Sequence, residues 1–282
     1  MINASLILEG GGMKGIYTAG VLDFFLDKEL EFSSVYGVSA GACTMASYIS
    51  KQKGRGKDVM LDYLDDERYM GLKSLLKTGD IFNVDFNYRL VPEKLNPYDY
   101  EEFLRYQGKA YAVVTNIETG RAEYKRLKDI RNDISYIRAS SSLPLVSRVV
   151  KIGEKKYLDG GIADSIPIKR SIKAGNVKNV VVMTKPVGYR RKPGKFNELI
   201  KARYVKYPKV YELMKRRYLK YNKTLDFLDE LEKEGKVFVI RPQVDFEIGR
   251  LERNREKLLK LYEEGYKEAE ERYEELMKYL NS

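Results

Sequence analysis

Twice within the first fifty residues a short apolar run ends on glycine and passes directly into a helical pattern. Leu6-Ile7-Leu8 leads into Gly10-Gly11-Gly12, and from Thr18 to Leu30 the apolar residues Val21, Leu22, Phe25 and Leu26 recur at helical spacing. Phe32 to Val38 reads as a second strand, and Ala40 to Ile49 as a helix directly after it. Later segments continue the alternation. Tyr111 to Ile117 reads as a buried strand followed by a turn at Glu118-Thr119-Gly120, and Val149 to Leu158 as a hairpin around Gly153-Glu154. Ile166 to Ala174 reads as a short helix, and Val180 to Met183 and Val237 to Ile240 as two more strands. Strand–helix–strand order of this kind builds a parallel-rich sheet with helices on both faces, an α/β fold. A length of 282 residues suits one or two domains.

The composition narrows the chemistry. There is no histidine in the chain, which removes Ser-His-Asp and Cys-His mechanisms and HExxH zinc sites. A single cysteine, Cys43, excludes thiolate metal clusters and an internal disulfide, and fits a reducing compartment. No apolar stretch approaches the roughly 18 residues needed to span a bilayer, and Met1 to Gly10 lacks the features of a secretion signal. The expected location is cytoplasmic, and acid–base work falls to Asp, Glu, Lys, Tyr or the α-amino group.

Gly10-Gly11-Gly12-Met13-Lys14-Gly15 sits between a strand and a helix, where free backbone N–H groups attract an anion. The string also fits the dinucleotide fingerprint GxGxxG, which requires an acidic residue about 20 residues on, at the end of the second strand. That strand ends Val35-Tyr36-Gly37, without a carboxylate, so nucleotide binding is not expected. Gly37-Val38-Ser39-Ala40-Gly41 is a GxSxG, and its flanking glycines permit a sharp elbow that lifts Ser39 into a cleft. Ser39 needs a base, and without histidine a carboxylate must serve. Asp159, in Leu158-Asp159-Gly160-Gly161, is the best-placed candidate, and Asp164 is the nearest competing carboxylate.

The glycine run, GxSxG and Asp-Gly-Gly in this order resemble the patatin-like phospholipases. Ala139-Ser140-Ser141-Ser142-Leu143-Pro144, and Tyr157 through Pro167, resemble that family's segment around its catalytic Asp. The resemblance covers about residues 6 to 184. It implies a three-layer α/β/α domain with a mostly parallel central sheet, and a Ser39–Asp159 dyad without a third member. Gly10, Gly11 and Gly12 would form the oxyanion hole, joined by the N–H of Ala40, with Lys14, Gly15, Gly37, Gly41, Gly160 and Gly161 in support. An acyl-serine mechanism on a lipid or other ester substrate needs no metal and no cofactor. A soluble carboxylesterase or thioesterase is the alternative within enzymes, and a basic lipid- or nucleic-acid-binding protein the alternative outside them.

Residues 185–223 stand apart, with 14 Lys or Arg against two Glu, while the rest of the chain is nearly neutral. Six tyrosines, Tyr189, Tyr204, Tyr207, Tyr211, Tyr218 and Tyr221, are threaded among these cations. Tyrosine suits a membrane–water interface and cations suit an anionic leaflet, so the stretch is expected to dock peripherally on an anionic membrane at the inner face. No nucleic-acid recognition motif accompanies the charge. The expected organisation is a patatin-like catalytic domain at 1–245, carrying 185–223 as a basic helical insertion, and a C-terminal amphipathic helix at 246–282 packed on it. The apolar stripe of that helix is Leu259, Tyr262, Tyr266, Ala269, Tyr273, Leu276 and Leu280.

Overall fold

A computed structural model describes residues 1–282. In chain order its elements are β1 (Ile2–Leu8), α1 (Gly15–Asp27), β2 (Phe32–Val38), α2 (Ala40–Ile49), α3 (Arg55–Leu61), α4 (Leu72–Thr78) and α5 (Tyr100–Arg105). Then come β3 (Lys109–Asn116), β4 (Arg121–Leu127), α6 (Ile130–Ser140), β5 (Val150–Ile152), β6 (Lys155–Asp159) and α7 (Ile168–Lys173). The chain ends with β7 (Asn179–Val182), α8 (Asn197–Arg203), α9 (Pro208–Lys233), β8 (Phe238–Ile240), α10 (Arg255–Glu271) and α11 (Tyr273–Asn281). Every strand and helix expected before residue 185 is present, with ends displaced by a few residues.

The eight strands form one sheet in the order β5-β6-β3-β2-β1-β7-β8, with β4 pairing β3. From β3 to β8 the neighbours are parallel, whereas β4, β5 and β6 join antiparallel. Because both faces are covered, the parallel strands read as continuous apolar runs rather than alternating ones. Leu6 and Leu8 of β1 point into the larger core with α1, α2, α6 and α10, while Ile7 points the other way, into a core closed by α7 and α9. Helices therefore cover both faces of the central sheet, giving three layers.

β4 escapes sequence reading because Arg121-Ala-Glu-Tyr-Lys-Arg-Leu127 is a polar, half-buried edge strand with little apolar signal. The C-terminal segment differs from the single helix expected. Residues 246–254 are irregular, α10 begins where the Asn254 side chain accepts the Lys257 N–H at 2.9 Å, and the helix breaks at Arg272 before α11. The helical face shifts accordingly. Leu258 and Leu261 enter the core, and Leu259 of the expected stripe faces solvent.

α10 lies along α1 through a reciprocal pair of glycines. A Cβ on Gly20 would stand 2.1 Å from the Tyr262 carbonyl oxygen, and a Cβ on Gly265 2.1 Å from that of Tyr17. Even one methyl forces the helices apart. We expect Gly20→Ala and Gly265→Ala each to destabilise the protein by about 1–3 kcal/mol, read as a Tm several degrees lower in a thermal melt. Gly249→Ala, with nothing within 4 Å of the added carbon, should leave Tm unchanged.

Candidate active site

β2 ends at Val38 and α2 begins at Ala40, so Ser39 alone makes the turn. Its φ of 54° and ψ of −123° are unusual for a residue with a side chain, and such strain costs about 1–3 kcal/mol. The surrounding structure over-determines it. The Ser39 carbonyl accepts the N–H groups of Ala42 and Cys43, and its own N–H donates to Ser140 Oγ at 2.9 Å. Neither flanking glycine has room for a side chain: a Cβ on Gly37 would lie 2.5 Å from Ala42 Cα, and one on Gly41 2.4 Å from the Leu8 oxygen.

Asp159 reaches Ser39 because one strand measures out both positions. β4 occupies one edge of β3 along residues 110–116, so β2 and β6 must share the other edge. Val38 pairs with Val113 and Asp159 with Val114, which brings the C-terminal end of β2 and the C-terminal end of β6 together. Gly160 then turns against Val113, whose oxygen would lie 2.0 Å from any Cβ there. Thr115 Oγ1 donates to the Asp159 carbonyl at 2.8 Å, and the Asp159 N–H donates to the Ser142 oxygen at 2.8 Å.

The Asp159 carboxylate is 1% exposed. Oδ1 accepts the Gly161 N–H at 2.7 Å, while Oδ2 has no hydrogen-bond partner. Burial pushes its pKa above the ordinary carboxylate range. Arg217, the Ser39 hydroxyl, the Gly161 N–H and Arg250 pull the other way without reversing this. Ser39 and Asp159 line the same cavity without a hydrogen bond between their side chains, as is common in sites without substrate.

The glycine run lies beside this pair. A Cβ on Gly10 would be 2.7 Å from Ser39 Cβ, one on Gly11 2.6 Å from Thr184 Oγ1, and one on Gly12 2.7 Å from the Arg250 oxygen. Gly12 also has a φ of +59°, which suits only glycine well. The N–H groups of Gly10 and Gly11 donate to no protein group, and Ala40, as the first residue of α2, has no carbonyl in its own helix to donate to. Gly15 packs against Ala40, where an added Cβ would lie 2.7 Å from the alanine methyl. Lys14 turns to Asp245 at 3.3 Å and lines neither cavity described next.

Two cavities meet at Gly12, Ser39 and Leu143. One, of about 930 Å³ including its mouth, is lined mainly by apolar groups such as Met13, Val59, Met60, Tyr88, Val91 and Ile137. Part of its wall is a π-helical stretch, Phe86–Leu95, a rare conformation that tends to mark functional sites. The other, of about 420 Å³, holds Asp159 with Glu9, Ser165, Lys185, Arg191, Arg217 and Arg250. No three acidic or cysteine side chains converge as a metal site would require.

The structure separates the two carboxylates considered from sequence. Asp164 accepts the Tyr124 hydroxyl at 2.6 Å and lines a different hollow. Sequence reasoning did not find the roles of Ser140 and Ser142, which tie Ser39 and Asp159 to one segment, although the segment itself was visible. Nor did it place any basic residue of 185–223 in the site. Arg217 Nε donates to the Gly161 oxygen at 2.6 Å, and Arg191 lines the same cavity. Tyr204 and Tyr221 are buried, the latter donating to Glu9 Oε1 at 2.6 Å, so these two belong to the core rather than to an interfacial surface.

The chain is similar to known proteins and to a known family. The model described as patatin-like phospholipase matches residues 6–171, more than half of the chain. The protein belongs to the patatin-like phospholipase family. A second model, a domain of unknown function, matches residues 207–281, beyond the patatin-like region. The uncharacterized protein YjjU of Escherichia coli K12 is 31% identical over 186 residues, covering 64% of this chain and 52% of that protein. The probable lipid hydrolase 463L of invertebrate iridescent virus 6 is 26% identical over 192 residues, covering 62% and 65% respectively. The chain thus aligns with between half and two thirds of the length of these relatives. The crystal structure of VipD from Legionella pneumophila superposes with a TM-score of 0.46 at 14% identity, covering 99% of this chain and 66% of that one.

The Ser140 contact carries a prediction of its own. Ser140→Ala leaves the N–H of a strained residue without its acceptor, which should cost about 1–3 kcal/mol. A lower Tm with unchanged secondary structure by circular dichroism is the expected result.

Proposed function

We propose that the protein is a lipid acyl hydrolase that works through a Ser39–Asp159 dyad. The observation that carries this reading is the free, buried Asp159 Oδ2 beside a serine on a strained elbow, at the meeting point of an apolar and a cationic cavity. Membership of the patatin-like phospholipase family supports it, as does the similarity to a viral protein named a probable lipid hydrolase.

In this mechanism Asp159 Oδ2 takes the Ser39 hydroxyl proton as Oγ attacks the ester carbonyl. The developing oxyanion is received by amides of Gly10, Gly11 and Gly12 with that of Ala40, and each such donor is worth about 3–4 kcal/mol in acyl transfer. Collapse expels the alcohol, which takes the proton from Asp159, and leaves an acyl-serine. Water then attacks the acyl carbon, giving its proton to Asp159, and the serine leaves with that proton as the fatty acid departs. The apolar cavity suits the acyl chain. Gly161 N–H on Oδ1 fixes the carboxylate so that Oδ2 is the basic atom.

A fluorophosphonate should label Ser39, found by peptide mapping, and Ser39→Ala should lose labelling and hydrolysis together. Full activity in that variant overturns the reading. Asp159→Asn should lower kcat at least about 10²-fold. Its stability should move the opposite way. Because the folded state raises the pKa of Asp159, ionisation at pH 7 is a burden on that state, and a neutral amide removes it. Tm of Asp159→Asn should therefore equal or exceed that of the parent. The acid limb of kcat/KM should likewise fall off at a pH above the ordinary carboxylate range, since the rate is lost as falling pH protonates the base.

Peripheral docking on anionic membrane remains part of the proposal, carried by different residues from the tyrosines. Phe196, Leu199 and Val205 are exposed on and beside α8, with Lys195, Lys201 and Lys206 around them. Sedimentation with anionic vesicles should fall for Phe196→Ser with Leu199→Ser, and as salt rises. Equal binding to neutral vesicles would count against it. No helix is long and apolar enough to cross a membrane.

A further inference from the structure

The cationic cavity holds more positive charge than the dyad requires. Lys185, Arg191, Arg217 and Arg250 all line it, and none forms a salt bridge, although 22 ion pairs occur elsewhere in the molecule. Unpaired cations are seldom left in partly dry surroundings unless a ligand completes them. Arg191 Nε is buried without a hydrogen-bond partner, and its guanidinium lies 4.3 Å from the Tyr221 ring centre, which holds it in place. The only carboxylates in the cavity are Asp159 and Glu9. Glu9 is already engaged, accepting from Thr184 through Oε2 and from Tyr221 through Oε1. Burial, followed by Lys14, Arg191 and Arg250, pushes the Lys185 amine down to about 8 against the pull of Glu9, so it is still largely charged at neutral pH. Four cations against two carboxylates leave two positive charges in excess, which matches the roughly −2 charge of a phosphomonoester.

Two of these cations come from the region matched by the domain of unknown function. Arg217 is on α9 and Arg250 on the irregular segment before α10, and both lie outside residues 6–171. The segment does more than supply charge. The Arg250 carbonyl accepts the Met13 N–H at 3.2 Å, which ties it to the glycine run.

We propose that the chain after residue 184 is a specificity element, which selects acyl esters bearing a phosphomonoester head group and holds that phosphate among Lys185, Arg191, Arg217 and Arg250. This rests on the acyl-hydrolase reading and names its substrate class. With the acyl chain in the apolar cavity and the phosphate in the cationic one, the ester carbonyl lies at Ser39, where the two meet. A zwitterionic choline head group would bring its ammonium toward the same cations and be disfavoured.

The test compares kcat/KM for dihexanoyl phosphatidate and dihexanoyl phosphatidylcholine below their micelle concentrations, so that the charge of an interface plays no part. The parent should prefer phosphatidate by about tenfold or more, and Arg191→Gln and Arg250→Gln should each cut that preference by about tenfold, the worth of one charge-assisted contact. Neither side chain donates a hydrogen bond that holds a neighbouring element of the site, unlike Arg217, which supports Gly161. A parent ratio near one, or a ratio unmoved by both variants, overturns the proposal while hydrolysis itself upholds the hydrolase reading. If neither lipid nor p-nitrophenyl butyrate is turned over, the hydrolase reading fails, and calorimetry on Ser39→Ala protein decides the head-group site alone. Glycerol 3-phosphate should then bind, weakened about tenfold by Arg250→Gln, and glycerophosphocholine should not. Inorganic phosphate binding as tightly as glycerol 3-phosphate would mark a free-phosphate site and overturn the assignment to a substrate head group.

Discussion

Everything at the site depends on β2 and β6 sharing one edge of β3. Had β4 not filled the opposite edge, β6 could pair there and carry Asp159 away from Ser39. The register is strict because Val113 and Val114 are successive residues, one opposite Val38 and the other opposite Asp159. A slip of one residue in a strand reverses every side chain, so Ser39 and Asp159 are positioned as securely as the sheet itself. The apolar layers above and below then hold that sheet in place.

The same arrangement explains where energy is spent. The strained Ser39 backbone and the buried Asp159 carboxylate both oppose folding, and each is met by fixed partners. Ser140 and Ser142 serve the two groups from one segment at the end of α6, so elbow and carboxylate are coupled through a third piece of chain that touches both. The excess cations moderate the cost of the charge on Asp159, and Asp159 in turn helps keep Arg217 protonated, although burial and its neighbouring arginines bring that guanidinium down to about 10.

How far the sequence can be read follows from where each signal is stored. Ser39 and Asp159 were legible because sharp turns leave a local record in flanking glycines, and Gly37, Gly41 and Gly160 prove to have backbone within about 3 Å of where a side chain would begin. The parallel strands were legible because burial on two faces makes them uniformly apolar. Arg191 and Arg217 were visible only as charge, since what distinguishes them from Lys192 or Arg216 is enclosure by residues distant in sequence. Tyr204 and Tyr221 were misplaced for the same reason: Tyr221 is separated from Glu9 by 212 positions, and no local pattern announces that bond. Leu259 was placed on the wrong face because α10 starts at Arg255 and ends before Arg272, a phase that periodicity alone cannot set.

The contact between the Arg250 carbonyl and the Met13 N–H joins the loop after β1 to the segment before α10. Since synthesis runs from the N-terminus, the glycine run, the elbow and the carboxylate all emerge from the ribosome before the segment that carries Arg250. α10 follows that segment and seats Gly265 against α1. The patatin-like region, residues 6–171, is therefore translated well before α10. The order of synthesis itself thus delays the cationic wall of the cavity until Arg250 and the helix after it have been made.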